Sequence, residues 1–234
     1  MSFFNIKMTV FLVLLSLTLC FFGAYGHRYL ETEGKGGRNN PVPVTDHQIS
    51  WAAYGEISEA GEIDYYRFEA KRDEEIYASI VIPKLERLRD FAPEFALIGP
   101  GLHEVESPPN DADRFLDVRE NEGVMVSRYG AGEESVFFEP FTQTSYYERQ
   151  ELRIDAPETG TYHVAVYHPD GATGKYVLAI GEKEVFGPKD ILGLPATWWK
   201  VRIFAEQKLS TYLIAGGVIG GLAVGSFFLV RALI

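Results

Sequence analysis

Hydrophobic and polar residues alternate in short runs between residues 49 and 180, a pattern typical of β-strands. Between residues 75 and 82, for example, Ile or Ala occupies every second position, as expected for a strand with one buried face. Turn residues separate these runs. We therefore predict nine strands, over residues 49–55, 62–70, 75–82, 95–98, 123–128, 136–139, 151–154, 161–167 and 175–180.

The nine predicted strands follow one another with no long amphipathic helix between them. This order favours an all-β fold, an antiparallel β-sandwich of the jelly-roll kind over residues 45–185. The turn Pro169-Asp170-Gly171 separates two aromatic runs. Because Pro, Asp and Gly favour tight turns, we expect the last two strands to form a hairpin at the C-terminal edge.

The C-terminal end of the chain is apolar over a length that could cross a membrane. No charged residue occurs from Tyr212 to Val230, and Arg231 closes the run. At about 1.5 Å per residue, such a helix crosses most of a hydrocarbon core of about 30 Å. We predict a single transmembrane helix over residues 212–231, followed by a short cytosolic tail, 232–234.

The segment before this helix, residues 186–211, has the composition of a membrane interface. Val201, Ile203 and Phe204 lie between basic residues, which predicts a short amphipathic helix on the lipid headgroups. The aromatic and basic residues typical of such a belt are Trp198, Trp199, Lys200, Arg202, Lys208 and Tyr212.

The N-terminal end has the features of a signal peptide over residues 1–26. Lys7 supplies a positive charge, an apolar run follows over residues 10–22, and Ala24 and Gly26 are the small residues expected before a cut at His27. An uncleaved anchor is the alternative. The polar, Gly-rich segment 27–44 is predicted to be a flexible leader.

A cleaved signal peptide places the sandwich on the extracellular or secretory-lumen side. The basic residues at positions 200, 202 and 208 would favour the cytosolic side under the positive-inside rule. We give precedence to the signal peptide because translocation begins at the N-terminus. A GPI signal is the other interpretation, although residues 198–204 are too apolar for its polar spacer.

Glycine recurs every fourth position within the predicted transmembrane helix, at Gly217, Gly221 and Gly225. Small residues at this spacing let two helices approach closely. The stripe therefore predicts association with a partner helix or with a second copy of the chain. Alternatively, these glycines reflect the general frequency of glycine in membrane helices.

The charge and cysteine content narrow the classes of partner and site. The formal net charge is −11, and the acidic residues all lie between the two apolar ends. Such a surface repels phosphate backbones, so we expect no nucleic-acid partner. The single cysteine, Cys20, lies in the predicted signal peptide. The mature chain would then have no disulfide and no cysteine-ligated metal.

Three acidic residues, Asp111, Asp113 and Asp117, are the candidate metal ligands. They follow a Pro-Pro-Asn sequence, and Ca²⁺ binds several oxygen ligands on flexible backbone. The cluster lacks the glycine and the final glutamate of an EF-hand loop. A solvated acidic loop is the alternative interpretation.

Four aromatic residues, Trp51, Tyr54, Tyr146 and Tyr147, are the candidate ligand-binding residues. Flat aromatic rings stack on sugars and anchor protein interfaces, although most aromatics of a sandwich belong to its core. The histidines form no close ligand pair, and the chain has no GxSxG, P-loop or GxGxxG sequence. We therefore predict no enzyme and no cofactor, although folding could still bring two carboxylates together.

Two segments resemble the bacterial pre-peptidase C-terminal (PPC) type of β-sandwich. One runs from Gly55 through Asp64-Tyr65-Tyr66-Arg67-Phe68, and the other combines residues 160–166 with 174–180. The resemblance covers about residues 49–181 but departs from the family over 93–101. It implies a β-sandwich accessory module that binds or presents. No protease domain accompanies it, so a role beside an attached peptidase does not carry over.

These observations predict a non-enzymatic membrane protein that presents a binding or accessory sandwich outside the cytosol, as a subunit of a membrane assembly. Membrane lipid and a partner helix or second copy are its expected partners. A carbohydrate- or calcium-dependent recognition domain is the alternative.

Overall fold

A computed structural model describes residues 26–32, 36–102, 116–130 and 134–233. Eleven strands precede two helices in the described residues, and a single 3₁₀ turn, Glu86–Leu88, follows the fifth strand. The helices are α1, Pro188–Phe204, and α2, Lys208–Leu233. The strands are β1 Arg28–Leu30, β2 Val42–Pro43, β3 Trp51–Ile57, β4 Ile63–Ala70, β5 Glu75–Pro83, β6 Glu94–Gly99, β7 Gly123–Ser127, β8 Val136–Glu139, β9 Thr144–Asp155, β10 Gly160–Tyr167 and β11 Gly174–Ile180.

The strands form two sheets that pack face to face as a sandwich. Sheet A has the order β1-β3-β11-β5-β9-β8, and sheet B has the order β2-β4-β10-β6-β7. Strand pairs are antiparallel except β1 with β3 and β2 with β4, which are parallel. The predicted sandwich is thus confirmed in its coarse form. The all-β and antiparallel details fit only in part, because each sheet contains one parallel pair and two helices follow the strands.

All nine predicted strands overlap an observed strand. The largest difference is β9, which begins at Thr144 rather than at residue 151. The two strands that the sequence does not predict, β1 and β2, are two or three residues long and lie in the segment predicted to be a flexible leader. Each pairs in parallel at a sheet edge, so its strand state depends on its neighbour rather than on its own alternation.

The predicted C-terminal hairpin is wrong. β10 pairs with β4 and β6 in sheet B, whereas β11 pairs with β3 and β5 in sheet A. The Pro169-Asp170-Gly171 turn therefore carries the chain from one sheet to the other. Both strands lie in the interior of their sheets rather than at an edge.

The core lies between the sheets and is rich in aromatic rings. The rings of Tyr66, Tyr162, Tyr176 and Phe95 are almost completely buried there. β5 contributes an alternating row at its even-numbered positions, which confirms the period-two pattern of residues 75–82. Burial of these rings and of the aliphatic residues around them stabilises the sandwich.

The C-terminal helix has the length and composition of a membrane span. Its segment Lys208–Phe228 has a mean hydropathy of 1.6, and its most apolar window is only 6% buried against the rest of the chain. A helix this apolar and this exposed needs an apolar surrounding, which a bilayer supplies. The predicted signal peptide, apart from Gly26, lies outside the described residues.

Candidate functional site

The outer face of sheet A is covered by helix α1, and their contact joins the sandwich to α2. Pro188 begins the helix, and the Asp190 carboxylate accepts a hydrogen bond from the Gly187 backbone N–H at 2.7 Å. The same carboxylate pairs with Arg28 of β1 at 2.9 Å. An acidic side chain in the first turn also favours the helix through its dipole. The start of α1 is thus tied to sheet A.

Aromatic rings occupy much of the space between α1 and sheet A. The ring of Tyr54 stacks on Tyr29 at 5.3 Å and meets the ring of Phe204 edge-on at the same distance. Buried residues of three strands complete this small cluster: Ala52, Tyr146 and Val177. Lys175 of β11 donates to the backbone oxygen of Phe204 at 3.1 Å. The end of α1 is therefore fixed to the sheet as well.

Arg202, near the end of α1, is the most deeply buried charged residue of this junction. It is only 2% exposed. Its guanidinium donates to the backbone oxygen of Thr142 at 2.6 Å, in the turn between β8 and β9. It also donates to the hydroxyls of Thr211 at 2.9 Å and Ser210 at 2.7 Å, both in the first turn of α2. One side chain therefore ties α1, α2 and the sandwich together.

None of these three acceptors on Arg202 carries a charge. Burial lowers the pKa of Arg202 from its ordinary value, and the ring of Trp198 lies 4.9 Å from the guanidinium carbon. A buried cation needs hydrogen bonds on its donors to offset the loss of hydration. Because an arginine presents its donors in a fixed planar fork, these bonds also set the orientation of the segments they join.

The short connection between the two helices, residues 205–207, is held by ion pairs. Glu206 adopts a φ of 61° and accepts a hydrogen bond from Lys175 at 2.9 Å and another from Arg87. These bonds, the one from Lys175 foremost, lower the pKa of the Glu206 carboxyl. Gln207 donates to the backbone oxygen of Gln143 at 3.2 Å. The direction in which α2 leaves the sandwich is therefore fixed by several bonds.

A cavity of about 50 Å³ lies between α1 and sheet A. Its lining includes His27, Tyr54, Glu139, Thr142 and Val201. Burial lowers the pKa of His27, so its imidazole is neutral at pH 7. Because substrate pockets usually have volumes of several hundred Å³, this cavity accommodates a few water molecules and no substrate.

The four aromatic candidates for ligand binding lie at three different places. Tyr54 and Tyr146 meet under α1, where burial raises the pKa of Tyr146 to about 12. Tyr147 points to the opposite face of sheet A and joins the main core. Trp51 is partly buried, with Arg28 over its ring at 4.6 Å. Ligand binding by these residues stays a prediction, and the structure does not bring the four rings onto one platform.

The candidate metal ligands fall mostly outside the described residues. Asp111 and Asp113 lie in the gap at 103–115, whereas Asp117 is exposed and its backbone N–H donates to the Tyr65 hydroxyl at 3.2 Å. Within residues 26–32, 36–102, 116–130 and 134–233, no group of three or more His, Cys, Asp or Glu side chains could hold a metal ion. The calcium site stays a prediction.

The glycine stripe of α2 is open on its outer side. A Cβ atom added at Gly217, Gly221 or Gly225 would meet no atom within 4 Å. No other described part of the chain therefore packs against this stripe. Its proposed role in helix association stays a prediction.

Residues that carry the family resemblance meet in one buried cluster. The Tyr176 hydroxyl donates to the Asp64 carboxylate at 2.6 Å and lies 2.9 Å from the Tyr66 hydroxyl. Gly55 lies directly beneath the Tyr176 ring. Burial raises the pKa of the Asp64 carboxyl, and the hydrogen bond from Tyr176 partly opposes that rise. The cluster joins β3, β4 and β11, so it links the two sheets.

We expect Tyr176→Phe to destabilise the protein more at pH 7 than at pH 4. Losing the hydroxyl removes a donor from the half-buried Asp64 carboxylate, which raises its folded-state pKa further. A raised pKa means that stability is greatest below the unfolded pKa and falls as pH rises through the folded pKa. The loss in the free energy of unfolding should be about 1–3 kcal/mol at pH 7, measured by denaturant titration at both pH values.

Tyr162→Phe is the matched control for this pH dependence. The Tyr162 ring is also fully buried, but its hydroxyl donates only to the backbone oxygens of Glu158 at 2.7 Å and Pro100 at 3.1 Å. The decrease in the free energy of unfolding caused by Tyr162→Phe should therefore be similar at pH 4 and pH 7. Equal losses at pH 4 and pH 7 in Tyr176→Phe would contradict the role assigned to Asp64.

Sequence patterns alone do not reveal the junction residues. Arg202 is one of several basic residues near an apolar helix, and Thr142 lies 60 positions earlier in a turn. The basic and aromatic composition of residues 198–212 does indicate a special segment. It does not indicate that Arg202 and Val201 turn inwards to the sandwich while Leu192 and Trp199 stay exposed.

Comparisons with known proteins give only distant likenesses. No family model matches the chain, and no curated protein matches it. Among solved structures, it is similar to PliG of Aeromonas hydrophila, a periplasmic inhibitor of g-type lysozyme, at 13% identity and a TM-score of 0.35, over 59% of this chain and 94% of that one. It is also similar to CorA of Methylomicrobium album BG8, a surface-associated copper-binding protein, at 8% identity and a TM-score of 0.26, over 68% of this chain and 98% of that one. Both scores are low for a shared fold.

Proposed function

We propose that this chain is a non-enzymatic, single-pass membrane protein whose β-sandwich is presented outside the cytosol as a binding or accessory module of a membrane assembly. The observation that carries the proposal is the Arg202 junction. A sandwich on a flexible tether would need no contact with the first turn of α2. Here three hydrogen bonds from one buried guanidinium fix that turn to the sandwich.

The fixed junction between the sandwich and α2 should favour binding to a partner in the same membrane. When a module is rigidly joined to its anchor, its surfaces keep a set height and orientation above the bilayer. A partner embedded in the same membrane then meets the module without the entropic cost of ordering a linker. The open glycine stripe of α2 supplies a surface for such a partner or for a second copy.

A carbohydrate- or calcium-dependent recognition domain is the second candidate from the sequence. It relies on the aromatic and acidic candidates described above. No contact among the described residues favours it over the first proposal, so we rank it second.

The proposal predicts that the sandwich is accessible from the extracytosolic side only. In a Cys20→Ser background, Lys71→Cys should react with a membrane-impermeant maleimide added to that side of sealed membrane vesicles. Lys71 is suitable because its side chain is 80% exposed, in the β4–β5 turn at the end of the sandwich away from the α1–α2 connection. Labelling only after the vesicles are opened would contradict the proposed orientation.

The oligomeric state of the extracted protein tests whether it belongs to a membrane assembly. After gentle detergent extraction, the native protein should migrate with a partner or as a dimer in size-exclusion chromatography with light scattering. A clean monomer would contradict membership of a stable assembly and leave the orientation result standing.

A further inference from the structure

Exposed large hydrophobic residues of the sandwich are confined to one strand. Among the described residues before Val185, the large hydrophobic residues that are exposed are Val136, Phe137 and Phe138 of β8, at 41%, 40% and 54%. We refer to these three residues as the β8 apolar edge. Large exposed apolar patches are uncommon on soluble proteins and often mark a site of interaction.

β8 is also the last strand of sheet A. It pairs with β9 on one side, from Val136 with Tyr147 to Glu139 with Thr144, and no described strand pairs with its other side. Natural edge strands are usually protected by charged residues, proline or a bulge. The β8 apolar edge has none of these over its three residues.

The β8 apolar edge lies close to the start of α2. β8 leads directly into the turn whose Thr142 oxygen accepts the Arg202 hydrogen bond and whose Gln143 oxygen accepts the bond from Gln207. Phe138 pairs with Ser145, one register step from the end of the hairpin. Because the rise is about 3.4 Å per strand residue, Phe138 is within a few ångströms of that turn along the strand.

The acidic residues around β8 are engaged by protein donors. Glu134 pairs with Arg89 at 2.8 Å, and Glu148 accepts a hydrogen bond from Ser135. Glu139 accepts from the backbone N–H groups of Phe141 at 2.9 Å and Thr142 at 2.6 Å. Each of these carboxylates therefore has a donor within the chain.

Two exposed aromatic residues lie on the neighbouring helices. Trp199 of α1 and Tyr212 of α2 are exposed and contact each other, with ring centroids 5.5 Å apart. Trp and Tyr are enriched where a membrane helix meets the headgroups. The turn that follows the β8 apolar edge therefore adjoins the start of α2, where that helix would enter a bilayer.

We propose that the β8 apolar edge inserts into the headgroup region of the bilayer that α2 spans, on the side of the sandwich, as a second membrane contact. This inference rests on the proposed membrane anchorage. Apolar side chains of this kind bury favourably at the boundary between headgroups and acyl chains. A lipid surface is favoured over a partner strand because the three residues adjoin the entry of α2.

The test uses the full chain, with Cys20→Ser, reconstituted in phosphatidylcholine vesicles. Phe138→Cys and Lys71→Cys are each labelled with an environment-sensitive fluorophore. Quenching by nitroxide attached to the lipid headgroup region should be at least about threefold stronger at position 138 than at position 71, as expected for an interfacial residue. Adding Phe137→Asp to the Phe138→Cys protein should lower the quenching towards the value at position 71.

Two other outcomes would overturn the inference. A label at position 138 that is as accessible to aqueous iodide as the one at position 71 would mean that the edge lies in water. A label shielded from iodide but not quenched by the lipid nitroxide would indicate contact with protein instead. Ile219→Cys reports on α2 separately: if its label is not quenched from within the bilayer, the proposed anchorage fails, and this inference fails with it.

Discussion

Replacing Arg202 with alanine should lower the free energy of unfolding by about 2–4 kcal/mol, since it removes three charge-assisted hydrogen bonds from a buried site. The side chain is 2% exposed and joins the Thr142 oxygen to the hydroxyls of Ser210 and Thr211. Denaturant unfolding in detergent, followed by intrinsic fluorescence, measures the change.

Arg67→Ala is the matched control for this substitution. The Arg67 side chain is 51% exposed and pairs with Glu69, which is itself 63% exposed. Exposed ion pairs contribute little to stability, so the change should stay within about 0.5 kcal/mol. Similar losses for both variants would mean that the Arg202 bonds do not hold the junction.

Arg202→Ala should loosen the junction between α1, α2 and the sandwich before it unfolds the sandwich. The remaining contacts between α1 and sheet A, including the Lys175 bond to Phe204 and the Arg28–Asp190 pair, keep the helix near the sheet. The connection at residues 205–207 should become more accessible to protease. This local effect distinguishes a junction residue from a general core residue, whose loss would expose the whole domain at once.

Alternation in the sequence predicted the strands well because burial on a pleated sheet imposes a period of two. β5 illustrates this, since its even-numbered residues from Ile76 to Ile82 are buried in the core. The turn at Pro169-Asp170-Gly171 was also recognisable from its residues. The sequence did not reveal which sheet β11 joins after this turn, because that choice depends on pairing with β3 and β5, which are distant in sequence.

The junction could not be predicted from local sequence for a related reason. The alternation around Tyr54 and Tyr146 fits a core position as well as a surface position. Both residues are covered because α1 docks on this face of sheet A. Val201 and Phe204 were predicted to belong to an amphipathic helix on the lipid headgroups; in the structure Val201 is buried and Phe204 packs against sheet A. The sequence of an amphipathic helix does not reveal whether its apolar face contacts lipid or the surface of a sheet.

The residues on which the sequence resemblance to PPC-type sandwiches relies have a structural role in this chain. Gly55, Asp64, Tyr66 and Tyr176, which carry the resemblance, form one cluster between the sheets. Such a cluster stabilises the sandwich and requires no ligand. This explains why a recognisable motif can indicate a fold while leaving the function to other residues.

The glycine of this cluster, Gly55, should be sensitive to substitution because a side chain there would collide with the Tyr176 ring. A Cβ atom on Gly55 would lie 2.7 Å from Cε1 of Tyr176 and closer still to its hydroxyl end. The ring would have to move, which would break its hydrogen bonds to Asp64 and Tyr66. We expect Gly55→Ala to lower the free energy of unfolding by about 3 kcal/mol, from overpacking and the lost bonds together.

Gly130→Ala provides the control, because an added Cβ atom at that position meets no atom within 4 Å. Its effect should stay within about 0.5 kcal/mol, as for most exposed substitutions. Combining Gly55→Ala with Tyr176→Phe gives a sharper test. If alanine acts by displacing the Tyr176 hydroxyl, the two losses overlap, and the double variant should lose less than their sum. Strict additivity would mean that Gly55 is needed for its backbone and not for the ring above it.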